Sequence, residues 1–263
     1  MTGVVGLVDW VVWLCALSYA ASWLFLVLGR RASASVCLWS GWIGNVLLFA
    51  INWALAGEPP FGNMYHVHVF LALCIPVLHA AWSRRSGPGW SAVYFAFAAA
   101  VVMVGAAFMG RDVHWRRMPA LQSPWFVPHV FAYMLSYALA MLAFAMTVSK
   151  WLRRDAEVRA AHRDAARQLI RMGFPLMTFG MLSGALWAEE AWGAYWSWDP
   201  KETWSLITWV GYVAYLHGAF GPRARREAWE DTTQTLAFVS LLWTFLLVNL
   251  VPRLASILHG YAR

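Results

Sequence analysis

Residues 129–150 read HVFAYMLSYALAMLAFAMTVSK, twenty-two positions whose only lysine, arginine or acid is the closing Lys150. A helix needs roughly 20 mostly apolar residues to cross the hydrocarbon core of a bilayer, and this run has that length and composition. Seven more runs of the same kind lie on either side, at about 9–29, 36–56, 64–82, 90–109, 172–187, 202–220 and 234–251. The run at 172–187 is short and rich in glycine. The composition agrees: 61% of the 263 residues are hydrophobic and 13% are charged, against roughly 45–50% and 25% in soluble domains. An ordinary soluble globule and a disordered chain are both excluded. The expected fold is all-α, a polytopic membrane protein of about eight transmembrane helices forming one membrane domain over 1–263. The first run lacks a basic leader and is long enough to span, so it reads as a helix and not as a cleaved signal.

The net charge of +7 invites a nucleic-acid reading, but its distribution argues for a lipid bilayer instead. Fourteen of the twenty Lys and Arg fall in alternate loops, around 30–31, 84–85, 150–171 and 223–226. The opposite loops and tail hold Arg111, Arg116, Arg117, Lys201, Arg253 and Arg263. Basic residues collect on the cytoplasmic side, so both termini and the 188–201 loop are expected outside. The basic, Ala-rich stretch 150–171 is expected to extend the fifth or sixth helix as a solvated face. Cys15, Cys37 and Cys74 sit in apolar runs and form no CxxC or CxxCH. The chain therefore encodes no zinc knuckle and is not itself a c-type cytochrome.

The stretch 187–204, WAEEAWGAYWSWDPKETW, holds five Trp, one Tyr and four acids. One or two interfacial Trp are ordinary anchors; five in eighteen positions exceed that need. Trp192, Trp196 and Trp198 are expected to form a flat aromatic shelf for a large planar ligand, since aromatic contacts add roughly 0.5–1.5 kcal/mol beyond area burial. Asp199 and Pro200 mark a turn, and Glu202 suits the first turn of the next helix.

Trp192-Gly193-x-x-Trp196-x-Trp198-Asp199 resembles the WGxxWxWD signature, the WWD motif, of haem-handling membrane proteins. The continuation Pro200-Lys201-Glu202-Thr203-Trp204 is similar to the CcsA/ResC family of cytochrome c biogenesis. The similarity covers about 59–260; the two helices in 1–58 match in hydropathy only. The family implies a membrane subunit of a holocytochrome c synthase, or haem lyase, that transports haem and presents it to the CxxCH of apocytochrome c. Haem b is then substrate and not permanent cofactor. It also implies a separate CcsB/ResB-like membrane partner and no nucleic acid. The location is a bacterial inner membrane or a thylakoid membrane, with the tryptophan segment on the periplasmic or lumenal side. A haem shuttle delivering to a separate chaperone, like CcmC, is the alternative. No catalytic triad, P-loop or carboxylate pair suggests catalytic residues beyond the haem site.

Eight histidines remain to be placed. His129 and His259 fall on the side of the tryptophan segment, as a bis-imidazole haem site needs one axial ligand on each face of the iron. The resemblance agrees: Leu121, Ser123, Trp125 and His129 match one external-ligand motif, and His259-Gly260-Tyr261 the other. It also implies that His217, in YLHG, is the ligand of haem inside the membrane. His79 is the candidate second ligand there, because it lies as far into its span as His217 lies into its own. His66 and His68 are two apart and cannot share a helix face; His68 reads as structural. His114 and His162 read as solvated.

Overall fold

The computed structural model describes residues 2–85, 88–110, 121–218 and 223–247. Within them the chain forms α1 (Thr2–Val27), α2 (Arg31–Ala56), α3 (Met64–Arg85), a 3₁₀ turn (Gly89–Ser91), α4 (Ala92–Ala107), α5 (Phe126–Trp151), α6 (Ala156–Trp192), α7 (Pro200–His217), α8 (Arg223–Leu242) and a π turn (Trp243–Leu247). There is no strand among the described residues. A lipid solvent requires this economy, because a helix satisfies its backbone groups within one segment. The helices α1 to α6 are long and apolar enough to cross a membrane. The eighteen-residue α7, and α8 over its described part, fall below that measure. The helical membrane class therefore holds, with six such spans among the described residues.

The chain divides into two compact units, Met1–Met118 and Pro119–Arg263. In the first, α1 packs on α2 and α4, and α3 on α2 and α4. Pro76 interrupts α3, since proline removes one helix donor and crowds the preceding turn. The Trp42 indole of α2 donates to the Leu73 carbonyl there at 3.1 Å. His66 is fully buried at the start of α3. His68 is also buried, with Nδ1 2.8 Å from the Met64 carbonyl. His79 pairs Nε2 with Ser83 Oγ at 3.2 Å and lays its ring 5.1 Å from that of Phe95.

In the second unit α5 and α6 run antiparallel in close register. Gly173, Gly180 and Gly184 of α6 face Leu139, Tyr133 and His129 of α5 in turn. Helix α6 is 37 residues, about 55 Å at ~1.5 Å per residue, and so carries the 156–171 stretch as part of itself. Asp155 caps it, accepting from the Glu157 and Val158 amides. The expected solvation of His162 is corrected. It is buried, with Nδ1 2.8 Å from the Val158 carbonyl, because the helical extension packs instead of standing in solvent.

What α6 packs against at this end is charged. Lys150 of α5, only 1% exposed, meets Asp231 at 2.5 Å and Glu227 at 3.2 Å. Arg159 reaches Glu227 at 2.7 Å, and Arg167 pairs with the buried Glu230. The Arg159 hydrogen bond, followed by that of Lys150, holds the Glu227 carboxyl below the usual range. Trp151 donates to Asp231 at 2.8 Å, and Thr147 to Gln234 at 2.7 Å. Three helices are thus joined by one network.

Removing one partner of a buried pair strands the other, at a cost of roughly 3–5 kcal/mol, whereas an apolar pair is often neutral. Arg167→Met should therefore lower the thermal midpoint of the detergent-solubilised protein sharply, and adding Glu230→Leu should recover most of the loss. A double variant as unstable as the single one would refute the pairing.

Candidate functional site

His129 lies in the first turn of α5, behind Pro128. The segment before that helix is tied down by Ser123, whose Oγ donates to Glu190 at the far end of α6 and accepts from the Trp125 amide at 3.1 Å. The imidazole then leans onto α6. Its Nδ1 is 2.8 Å from the Gly180 carbonyl. A Cβ on Gly184 would lie 2.6 Å from its Cε1 and Nδ1, closer than real atoms approach. A carbonyl only accepts, so Nδ1 carries the proton and the ring lone pair sits on Nε2. That is the tautomer a metal-binding imidazole adopts when its other nitrogen is held by a backbone carbonyl.

Aromatic rings complete the surroundings. The His129 ring centroid is 5.0 Å from that of Tyr133 and 5.4 Å from that of Trp187. Trp187 also meets Phe126 at 5.4 Å and Trp192 at 4.9 Å. One end of the tryptophan segment is therefore in contact with the His129 cluster, through Trp192 and Trp187. Gly193 follows as the left-handed cap of α6, φ 75°.

The other end of the segment is shaped by α7. Glu202 accepts from the Ser197 amide at 2.8 Å and the Asp199 amide at 3.2 Å. Asp199 accepts from the Lys201 amide at 2.9 Å, closing a reciprocal cap. Thr203 Oγ1 donates to the Trp198 carbonyl at 3.2 Å. Between these bonds Trp198 is held at φ 59°, the one non-glycine residue with positive φ among those described. Its side chain is 68% exposed. A left-handed backbone costs an L-residue roughly 1–2 kcal/mol, and the surrounding hydrogen bonds offset that cost. Lys201 is half-buried, and burial pushes its amine down to about 8.

The expected flat shelf is not what forms. Trp192 packs on Trp187, while Trp196 and Trp198 stand perpendicular, at 86° with centroids 5.8 Å apart. The segment offers an edge and an exposed face in place of one plane. The Trp196 indole nitrogen is shielded and has no hydrogen-bond partner among the described residues. His217 closes α7, with an exposed ring whose Nδ1 is 2.8 Å from the Val213 carbonyl, so its lone pair also sits on Nε2. His79 belongs to the first unit and His217 to the second. His259, Gly260, Tyr261 and His114 lie outside the described residues.

Gly180, Gly184, Tyr133 and Glu190 complete the His129 site without having been singled out for it from the sequence. The Gly180-x-x-x-Gly184 spacing was a usable signal, since small residues four apart let helices approach closely in membranes. The sequence marks Glu202 only as a partner of the helix dipole. Its grip on the turn before α7 depends on chain reversal and has no such signature.

Residues 61–255 match the family described as cytochrome C assembly protein. The chain is 31% identical over 235 residues to a cytochrome c biogenesis protein CcsA from Chlamydomonas reinhardtii, covering 82% of this chain and 64% of that one. It is 30% identical over 285 residues to a CcsA from Gloeobacter violaceus, covering 81% of each. A solved structure titled cytochrome c heme lyase CcmF has the same helical fold, with a TM-score of 0.68 at 21% identity over 91% of this chain. This chain spans 46% of that protein's.

The strain at Trp198 is measurable by a matched pair. Trp198→Gly and Trp198→Ala both remove the exposed indole, but only glycine relaxes at positive φ. The glycine variant should be more stable than the alanine variant by about 1 kcal/mol; equal thermal midpoints would count against the left-handed turn.

Proposed function

The chain belongs to the cytochrome c assembly protein family, in its CcsA branch, and from that premise we propose that it is the haem-handling subunit of a cytochrome c synthase. Haem b is the substrate. It is carried across the membrane, held by His129 and His259, and presented to the CxxCH of apocytochrome c. The observation that carries this reading is the His129 clamp, with Nδ1 on the Gly180 carbonyl and the ring beside Trp187. The clamp fixes the tautomer, orients the ring and raises the basicity of Nε2.

The remaining site residues fit the same ligand. Trp198 presents an exposed aromatic face for the macrocycle. The shielded Trp196 N–H and the Lys201 amine suit the propionate carboxylates. Asp199 and Glu202 hold the turn. Each cysteine S–H then adds across a haem vinyl, sulfur to one carbon and hydrogen to the other, with no net oxidation. Holding thiol and vinyl in register contributes up to roughly 7–11 kcal/mol in well-oriented cases. The incoming CxxCH histidine replaces one of the two axial imidazoles.

The membrane is a bacterial inner membrane or a thylakoid membrane, with the tryptophan segment on the periplasmic or lumenal side, as the arginine-rich loops at the opposite end support. A CcsB/ResB-like membrane protein is the partner. Haem reaches the His129 site by way of His217. The second ligand beside His217 is expected from that partner, and an unchanged spectrum in a His79→Ala variant checks this.

His129→Ala and His259→Ala should each cut the haem that co-purifies several-fold and should partly regain it with added imidazole. Wild-type content and spectrum in both variants would sink the assignment. Gly184→Ala, which pushes a methyl group into the imidazole, should behave like His129→Ala while the protein still inserts. Covalent haem on a CxxCH peptide marks the synthase; haem passed to an acceptor without a thioether marks a shuttle.

The Lys201 amine is charged below pH about 8 and neutral above it. Haem retention measured against pH should accordingly fall as pH rises through about 8, and Lys201→Met should flatten the profile. A profile unchanged by that substitution would remove Lys201 from the propionate site.

A further inference from the structure

The residues that α7 buries are Glu202, Thr208, Tyr212 and Tyr215, and every one of them carries a hydroxyl or a carboxyl group. Its exposed side holds Ile207 and Val210. Such a helix is the inverse of one in a soluble protein, and each buried polar atom costs free energy unless it finds a partner. Three of the four have partners. Glu202 holds the Ser197 and Asp199 amides, Thr208 donates to the Trp204 carbonyl at 2.8 Å, and Tyr215 meets the Arg167 guanidinium. The Tyr212 hydroxyl is different. The side chain is 2% exposed, and no described residue bonds its oxygen.

Tyr212 lines a small crevice from α7, facing Ser136 of α5 and Gly173 and Met177 of α6; the rest of the lining is apolar. The centre of a water-sized molecule has about 10 Å³ to move in there, which is room for about one water. Two acceptors border that space. The Ser136 hydroxyl donates to the Tyr133 carbonyl at 2.9 Å, and a hydroxyl has one hydrogen to give but two lone pairs with which to accept. The Ser136 carbonyl is the second, because a carbonyl oxygen keeps a lone pair beyond its helical bond. A Cβ on Gly173 would lie 3.5 Å from that oxygen, and glycine leaves the approach open.

We propose that this crevice between α5, α6 and α7 is a water-binding site, in which one ordered water accepts from the Tyr212 hydroxyl and donates to the hydroxyl and the carbonyl of Ser136. Donors and acceptors then balance, and three bonds are the usual complement of a buried water. Other occupants of that size fit less well. A lipid methyl group fills the space but strands the Tyr212 hydroxyl, and a metal cation finds no carboxylate in the lining. The water joins α7 to α5 where the two helices share no direct side-chain bond through Tyr212. Gly173 thereby gains a use beyond letting α5 and α6 approach. The site stands independently of the haem-handling reading.

The test uses the full-length chain in lipid nanodiscs. Brief X-ray radiolysis in water labelled with heavy oxygen oxidises side chains that lie beside bound water, and mass spectrometry reads the label. Met177 and Met146 are shielded alike, at 3% and 0% exposure, but of the two only Met177 lines the crevice. Met177 should therefore take up label several times faster than Met146. Tyr212→Phe should cut that labelling several-fold and lower the thermal midpoint by about 2–4 °C, as loss of one bridged hydrogen bond predicts. Gly173→Ala, whose methyl group covers the Ser136 carbonyl, should cut the labelling while leaving the Tyr212 hydroxyl in place. Should Gly173→Ala fail to fold, Tyr212→Phe still decides the matter. Met177 labelled no faster than Met146, with Tyr212→Phe as stable as the parent or more so, would mean a dry crevice and an orphaned hydroxyl, and the site would fall. Labelling of Met177 that persists undiminished in Tyr212→Phe would overturn it as well, since that water would not be held by the hydroxyl.

Discussion

Close approach between α5 and α6 governs the second unit. In lipid, two helices gain little by hiding apolar side chains from one another, so association depends on contact area and on polar groups satisfied between them. Gly173, Gly180 and Gly184 supply the first by letting Leu139, Tyr133 and His129 settle against bare backbone. They supply the second as well, because a backbone without a side chain above it exposes its carbonyl. The Gly180 carbonyl accepts from His129 for that reason. The same groove that packs the helices therefore selects the tautomer of the imidazole, and a packing constraint becomes a chemical one.

The opposite end of the unit solves a different problem. There α5, α6 and α8 carry charges, and the three helices are held by Lys150, Arg159 and Arg167 against Glu227, Glu230 and Asp231. Such pairs contribute less to net stability than their geometry suggests, because desolvation consumes much of the attraction. Their value lies in register. An apolar α8 would slide along its neighbours at little cost, whereas one with Glu230 under Arg167 and Asp231 under Lys150 has one position. That position seats Trp229 beneath the last turn of α7. Charge pairing on one face of α8 thus fixes what the other face presents.

Much of this was legible from residues alone. The apolar runs marked the helices because only a helix of about 20 residues crosses lipid unaided. The tryptophan segment and His129 stood out because their density or placement exceeded what anchoring needs. The failures share one cause. A helix that is apolar all round gives no periodic signal for which side faces which neighbour, so beyond the Gly180–Gly184 spacing the sequence carries no sign of the α5–α6 register or of the partners of His129. The charged sequence neighbours of His162 suggest solvation, but burial is decided by what docks on a helix. The three indoles do not share the expected plane, because the backbone turns sharply at Trp198.

That turn is where local preference and structure disagree most. A bulky residue at φ 59° breaks the steric rule, and strain of this kind persists only where neighbours over-determine it. Here they do: Glu202 holds the amides on both sides of Trp198, and Thr203 holds its carbonyl. Glycine in that place would have satisfied the backbone at lower cost, but it would have left nothing to project. Both restraining residues belong to the first turn of α7, and that same helix ends at His217. The geometry of the exposed indole is consequently tied to the helix that carries the other histidine, and displacement of α7 along its axis would alter both ends of the unit together.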